Sequence, residues 1–174
     1  MEVIGITGKS GSGKTTFTKK IIDMASKKNL HIEGFISPAV FKQGKKVAIN
    51  VVNIASGEER SLAEINDNLL ETNLIGQWKF NLDAIEWVEN FTNQVGECDI
   101  FVADEIGPLE IVLGKGWSKI FGEVTRINPK TVIFSFRPKF IDYFVAKYPN
   151  IQIIDLSVTS SEDLSQRTLH NLIL

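Results

Sequence analysis

The chain has 174 residues, of which 43% are hydrophobic, and a formal net charge of −2. This length suits one domain with a substantial core, so we predict a single domain over residues 1–174. The slightly negative charge gives no sign of a nucleic-acid partner or an anionic membrane surface, and no apolar run is long enough to span a bilayer. The lone cysteine excludes an intramolecular disulfide. Because the first predicted strand begins at once after Met1, we expect no signal peptide and a cytoplasmic protein.

The first predicted strand covers residues 3–6, and a glycine-rich loop follows it. Its sequence is Gly-Lys-Ser-Gly-Ser-Gly-Lys-Thr, which fits the pattern of a loop that cradles phosphates. An amphipathic helix is predicted after it, so the loop amides and the positive end of the helix would face a bound phosphate. Lys14 is expected to reach the β- and γ-phosphates, and Thr15 to complete the shell of a magnesium ion (Mg²⁺). We predict that the nucleotide is bound by Gly8, Lys9, Ser10, Gly11, Ser12, Gly13, Lys14, Thr15 and Thr16.

The next part of the chain predicts a strand at residues 31–37 and a hairpin that continues to about residue 63 as an antiparallel meander. Three hairpin lysines, Lys42, Lys45 and Lys46, are candidates for phosphate contacts. Lysine is also frequent on exposed strand edges, and we expect a solvated hairpin. A loop or short irregular element is predicted at residues 65–77, then an extended piece at 78–82 and an amphipathic helix to about residue 95.

The second half alternates buried strands with helices. We predict strands at residues 100–103, 131–136 and 151–156, with a glycine-rich loop at 107–116 and helices after it, after Arg137 and after Ser160. The alternation predicts an α/β fold with a mostly parallel sheet, helices on both faces and an inserted antiparallel meander. With the phosphate loop, the predicted arrangement resembles the P-loop NTPase fold.

Polar residues follow several of these strands, at the sheet edge where ligands of such folds bind. Asp104 has the form of a Walker B aspartate and is expected to support Mg²⁺ opposite Thr15. Glu105 is placed to orient and activate a water molecule for attack on the γ-phosphorus. We expect Arg137 to stabilise the negative charge that develops on the γ-phosphate. The alternative is that Arg137 is a surface arginine that precedes Pro138 and has no role in the site.

The side of the site that would bind the base is less specified. No Asn-Lys-x-Asp motif is present, so a guanine-specific switch protein is not expected. We predict that Val158 and Thr159 contact the base through backbone groups, which favours loose base selectivity. The leading hypothesis is hydrolysis of nucleoside triphosphates. A P-loop nucleotide or small-molecule kinase and a slow nucleotide-gated binding module are the alternatives, and no motif identifies a protein partner.

Several stretches together resemble a known family. They are residues 8–16, Gly34-Phe35-Ile36-Ser37-Pro38, Ser56-Gly57-Glu58, and Asp104-Glu105-Ile106-Gly107-Pro108-Leu109-Glu110 followed by Gly116-Trp117. In this order they resemble the small nucleoside-triphosphatase family of archaea, bacteria and animals, which includes the cancer-related nucleoside-triphosphatase.

The resemblance implies a slow magnesium-dependent hydrolase that converts ATP, GTP and other triphosphates to the diphosphate and phosphate. It also implies that Glu105 is the base and that Glu110 is a supporting carboxylate. Some relatives carry a basic residue just after the Gly-Phe strand, where this chain has Ala39-Val40-Phe41, so a phosphate contact there does not carry over.

Overall fold

The computed structural model describes residues 1–66, 74–75 and 77–157. Its helices are α1 (Lys14–Lys27), α2 (Leu82–Gln94), α3 (Pro108–Ile111), α4 (Ile120–Ile127) and α5 (Ile141–Lys147), with a 3-10 turn at Pro138–Phe140. Its strands are β1 (Glu2–Thr7), β2 (Ile32–Ile36), β3 (Ala39–Lys42), β4 (Lys45–Asn53), β5 (Glu59–Ile65), β6 (Leu74–Ile75), β7 (Trp78–Phe80), β8 (Ile100–Ile106), β9 (Thr131–Phe136) and β10 (Gln152–Asp155). None of the described helices is long and apolar enough to cross a membrane.

The ten described strands form one sheet with two halves. The order β10–β1–β9–β8–β2 is parallel throughout. From β2 the sheet continues antiparallel through β4, β5, β7 and β6. Strand β3 lies off this path and pairs antiparallel with β4. The predicted parallel sheet with an antiparallel meander is therefore confirmed, and the meander extends the same sheet instead of forming a separate layer.

Helices cover both faces of the parallel half, as the sequence predicts. On one face α1 buries Phe17, Ile21 and Ala25, whose spacing of four residues places them on one side of the helix. On the other face α2, α4 and α5 bury side chains such as Val88, Val124 and Phe144. Each fully buried side chain of this size contributes about 1.5–3 kcal/mol relative to exposure, so both faces stabilise the sheet that carries the site.

The strands β2 and β8 approach each other closely at Gly34. This glycine has a φ of +106°, and a Cβ atom there would lie 2.0 Å from the carbonyl oxygen of Val102. Only glycine fits such a contact without moving a strand. The close pairing sets the distance between the residues that follow β2 and the carboxylates near the end of β8.

The structure corrects three sequence-based boundaries. Strand β8 continues through Asp104 and Glu105 to Ile106, with a register shift after Ala103 and a φ of +62° at Glu105. The loop predicted at 107–116 contains the short helix α3, and the loop predicted at 65–77 contains β6. A bulge of this kind needs a partner from the neighbouring strand, which local sequence patterns do not reveal. The predicted final helix after Ser160 lies outside the described residues.

Candidate functional site

The glycine-rich loop joins β1 to α1 at the carboxyl edge of the parallel strands. Gly13 precedes α1 with a φ of +87°, a conformation that side chains rarely adopt. A Cβ atom at Gly8 would lie 2.4 Å from the Ser12 hydroxyl oxygen. Both glycines are therefore required by the tight turn that the phosphate-loop pattern predicts.

Six of the nine predicted nucleotide contacts line one groove, together with residues that follow β2 and residues of the β3–β4 hairpin. We call it the loop groove; its volume is about 400 Å³, and its loop-side residues are Ser10, Gly11, Gly13, Lys14, Thr15 and Thr16. Of the other predicted contacts, Lys9 is exposed and Gly8 is buried beneath the turn. The predicted base contacts Val158 and Thr159 lie outside the described residues.

The Lys14 ammonium is held over the loop. Its side chain is only 5% exposed, and Nζ donates to the carbonyl oxygens of Gly8 at 3.0 Å and Lys9 at 3.2 Å. Nζ also lies 3.9 Å from Oε2 of Glu105. A buried cation with oxygen ligands on one side and a carboxylate on the other is well placed to exchange a carbonyl for a phosphate oxygen.

Asp104 is fully buried and connects three elements. Its Oδ2 accepts hydrogen bonds from the Thr15 hydroxyl at 2.8 Å and from the Ser37 amide at 2.9 Å. Its Oδ1 accepts from the hydroxyl of Ser135 on β9. The Ser135 hydroxyl oxygen also accepts a hydrogen bond from the amide of Glu105 at 2.9 Å. Ser135 therefore holds both the carboxylate of Asp104 and the backbone of Glu105.

The Thr15 and Asp104 oxygens fit a magnesium ion. Mg²⁺ prefers hard oxygen ligands and takes only one or two from the protein, the rest coming from phosphates and water. The described residues contain no group of three or more His, Cys, Asp or Glu side chains suited to a metal. A metal at this place would therefore need the nucleotide to complete its shell.

Glu105 reaches towards the loop while its backbone is held by β9. Its side chain is 22% exposed. Among the described residues, Glu105 alone lines both the loop groove and a neighbouring apolar cavity. The left-handed φ at this residue breaks the alternation of β8, so Asp104 and Glu105 need not point to opposite faces as regular strand neighbours do. A carboxylate in this position can receive a proton at the open end of the groove.

Lys46 is a residue of the site that the sequence offered only as the less favoured candidate for a phosphate contact. It is half-buried, lines the loop groove, and its Nζ lies 5.2 Å from the centre of the Trp78 ring. Burial lowers the pKa of Lys46, and the charges of Arg137 and Lys14 lower it further, against the opposing effect of Glu105. The expectation of solvated hairpin lysines is met by Lys42 and Lys45, which are exposed, but it is wrong for Lys46.

A signal for Lys46 was available in the sequence. Successive side chains of a strand point to opposite faces of the sheet. Lys45 and Lys46, which are adjacent on β4, must therefore lie on opposite faces. Ser135 carried a similar signal, since it is the polar residue before Phe136 in a strand buried along its whole length. A buried hydroxyl needs a hydrogen-bond partner, and here that partner is Asp104.

Arg137 and Glu110 line the cavity that adjoins the loop groove and are not among the described residues that line the groove itself. Arg137 is exposed at the end of β9 and lines the apolar cavity beside Glu105. Glu110 is 6% exposed and accepts hydrogen bonds from the amides of Gly107 at 2.9 Å and Trp117 at 3.4 Å. Burial raises the pKa of Glu110 to about 7, although these amides favour its charged form. Glu110 therefore braces the segment that follows β8.

Comparison with known proteins gives a consistent result. A family model described as NTPase matches residues 3–167. The chain is 26% identical over 170 residues to Nucleoside-triphosphatase THEP1 of Methanocaldococcus jannaschii, covering 98% of this chain and 96% of that protein. It is 33% identical over 106 residues to the protein of the same name from Caldivirga maquilingensis, covering 61% of this chain and 59% of that one.

A solved structure is also similar to this one. The solution structure of a human cancer-related nucleoside triphosphatase superposes with a TM-score of 0.72 at 18% sequence identity, over 98% of this chain and 97% of that one. At this identity the likeness bears on the fold alone. Together with the family match, it confirms the predicted fold class.

Proposed function

The chain belongs to the NTPase family, and from that premise we propose that it hydrolyses nucleoside triphosphates to the diphosphate and phosphate at the loop groove. The observation that carries this proposal is the position of Glu105, whose carboxylate lies 3.9 Å from the Lys14 ammonium at the end of the phosphate loop. A γ-phosphate held by Lys14 would have this carboxylate beside it. Names of relatives such as Nucleoside-triphosphatase THEP1 support the same reaction.

We assign the remaining roles by position. Lys14 and the loop amides bind the β- and γ-phosphates. Thr15 and Asp104 would hold Mg²⁺, which neutralises phosphate charge when it is bound. Glu105 takes a proton from the attacking water, and the nearby cations of Lys46 and Arg137 stabilise charge on the γ-phosphate.

Base selectivity is expected to be loose, because the described lining of the loop groove contains no Asn, Gln or Asp side chain that could read the edge of a base. Phosphate release from ATP, GTP, CTP and UTP, measured with Mg²⁺ at equal concentrations, tests this. Similar kcat/KM values for the four substrates are expected. A preference of a hundredfold for one base would contradict the proposal.

The test of the reaction itself is Glu105→Gln. This change keeps the shape of the side chain and removes its ability to accept a proton, so we expect kcat for phosphate release to fall on the order of a hundredfold or more. The Kd of a fluorescent ATP analogue is expected to change little, since Lys14 and the loop remain. Glu97→Gln is the matched control, because Glu97 is exposed at the opposite edge of the sheet, before β8. Wild-type turnover by Glu105→Gln would show that this residue is not the base.

A further inference from the structure

A second concave site adjoins the loop groove. It is a cavity of about 470 Å³, and its apolar lining comes from the meander, α2 and the segment after α3: Ile49, Leu62, Trp78, Phe80, Ile85 and Trp117. This volume is within the range of small-molecule sites. We call it the apolar cavity.

The apolar cavity has a polar edge. Among the described residues, Glu105 lines both the cavity and the loop groove, and Arg137 lines the cavity beside it. Glu110 adds a second carboxylate to the lining. Convergent polar groups at one side of an apolar cavity are typical of sites that orient a ligand.

The composition of the lining selects the chemistry of a ligand. Aromatic and aliphatic side chains favour an apolar body. The charges of Glu105 and Arg137 balance each other, and Glu110 is engaged by the amides of Gly107 and Trp117, so the lining favours an uncharged molecule. A hydroxyl group is the simplest ligand group that can donate a hydrogen bond to Glu105.

We propose that the apolar cavity binds a small uncharged molecule with an apolar body and a hydroxyl group, and that this hydroxyl accepts the γ-phosphoryl group in place of water. The proposal rests on the nucleotide site of the proposed function. The acceptor oxygen bonds to the γ-phosphorus while the bond from phosphorus to the β–γ bridging oxygen breaks, and its electron pair stays on the nucleoside diphosphate. The hydroxyl proton passes to the Glu105 carboxylate, and the second product is a phosphate monoester.

Glu105 would thus act as the base for two nucleophiles, water and the bound hydroxyl group, which attack the same γ-phosphate. An apolar molecule in the cavity displaces water from the neighbourhood of Glu105. Occupancy is therefore expected to lower the release of inorganic phosphate while it increases the formation of phosphate ester. Hydrolysis is then the reaction of the empty cavity.

Binding is tested first, with tryptophan fluorescence as the reporter. Trp78 and Trp117 line the cavity and Trp87 does not, so the Trp87→Phe variant reports on the cavity alone. The probes are 2-phenylethanol and 4-phenylbutanol, each with its methyl ether. Saturable quenching by alcohols and ethers is expected. Failure of all four probes to bind would overturn the proposal.

Transfer is tested with γ-³²P-labelled ATP and Mg²⁺. Both alcohols are expected to yield labelled phosphate ester, the ethers none, and Ile85→Phe, which fills the cavity, is expected to reduce ester formation at least tenfold while phosphate release persists. That persistence shows that the variant is folded. Binding without ester formation, or a preference for nucleotides as acceptors, would overturn the proposal and leave hydrolysis intact. If neither ester nor free phosphate forms, the proposed function itself fails.

Discussion

At the scale of single residues, charge is concentrated around the end of the phosphate loop. Lys14 lies 3.9 Å from Glu105. Burial lowers the pKa of Lys46, and the charges of Glu105, Arg137, Lys14 and Asp104 also act on it. Three cations and two anions leave an excess of positive charge for a polyanionic ligand. Since the side chains of Lys14, Lys46, Asp104 and Glu105 are wholly or partly removed from water, their charges act more strongly on a phosphate than they would in solution.

Replacing Lys46 by glutamine is expected to lower kcat/KM for triphosphate hydrolysis about ten- to hundredfold, because one cation near the γ-phosphate is lost. Lys45→Gln is the matched control, since Lys45 is exposed next to it on β4. Steady-state phosphate release measures both variants. Equal losses in the two variants would mean that Lys46 acts only through the general charge of the hairpin.

Glu110 is expected to make stability depend on pH. Its pKa is raised from 4.5 to about 7 in the folded chain, so between these values the folded state binds more protons than the unfolded state. Its contribution to stability is therefore present below pH 4.5 and is lost as pH rises to 7, by roughly 3 kcal/mol at most. Urea unfolding of wild type and Glu110→Gln between pH 5 and 7.5 measures this. The unfolding free energy of wild type should fall relative to that of the variant, and parallel curves would contradict the prediction.

At the scale of elements, the pairing of β2 with β8 positions the site. Ser37 follows β2 and donates its amide to Asp104 on β8, while Ser135 on β9 holds the other oxygen of the same carboxylate. The close approach at Gly34 thus determines where Ser37, one of the three partners of the Asp104 carboxylate, meets the aspartate. A small change in the spacing of these strands would move the aspartate relative to Thr15.

Gly34→Ala is expected to destabilise the chain by about 3 kcal/mol or more, because its Cβ would meet the Val102 carbonyl and its φ is unfavourable for alanine. Gly122→Ala is the control: Gly122 lies in α4 with open space around it. That change should stabilise by roughly 0.5–1 kcal/mol, since alanine favours helices. Urea unfolding compares the two variants, and a Gly34→Ala variant as stable as wild type would refute the close-approach argument.

At the scale of the whole molecule, the site lies where the parallel and antiparallel halves of the sheet meet. The parallel half supplies the loop, Asp104 and Glu105, and the antiparallel half supplies Lys46 and much of the apolar cavity. Nucleotide binding would therefore tie together both halves. A ligand that binds only the folded state stabilises it in proportion to its occupancy.

Binding of a non-hydrolysable ATP analogue with Mg²⁺, at about 100 times its Kd, is expected to raise Tm by about 5–10 °C. Chelation of Mg²⁺ by EDTA should remove most of the shift, because Thr15 and Asp104 would lose the metal that links them to the phosphates. Differential scanning calorimetry measures both. Lys14→Ala is the control, and an undiminished shift in that variant would place binding elsewhere.

The features that the sequence predicted are those that depend on residues close together in the chain. The phosphate loop, the strand before Asp104 and the alternation of strands with helices are all visible in short windows, and the fold class is confirmed. Ser135 and the apolar cavity were not predicted, and a solvated side chain was favoured at Lys46, because the surroundings of each depend on contacts between segments far apart in the chain. The end of β8 was placed too early for the same reason, since Ser135 of β9 supports the bulge at Glu105.

The left-handed φ of +62° at Glu105 has a consequence for the durability of the protein. A residue with a side chain loses on the order of 1 kcal/mol in this conformation, whereas glycine does not. A chain shaped by folding alone would therefore be better served by glycine at this position. If Glu105 is the base that we propose, its carboxylate is kept where the backbone favours no side chain, and at this residue the protein gives up stability for activity.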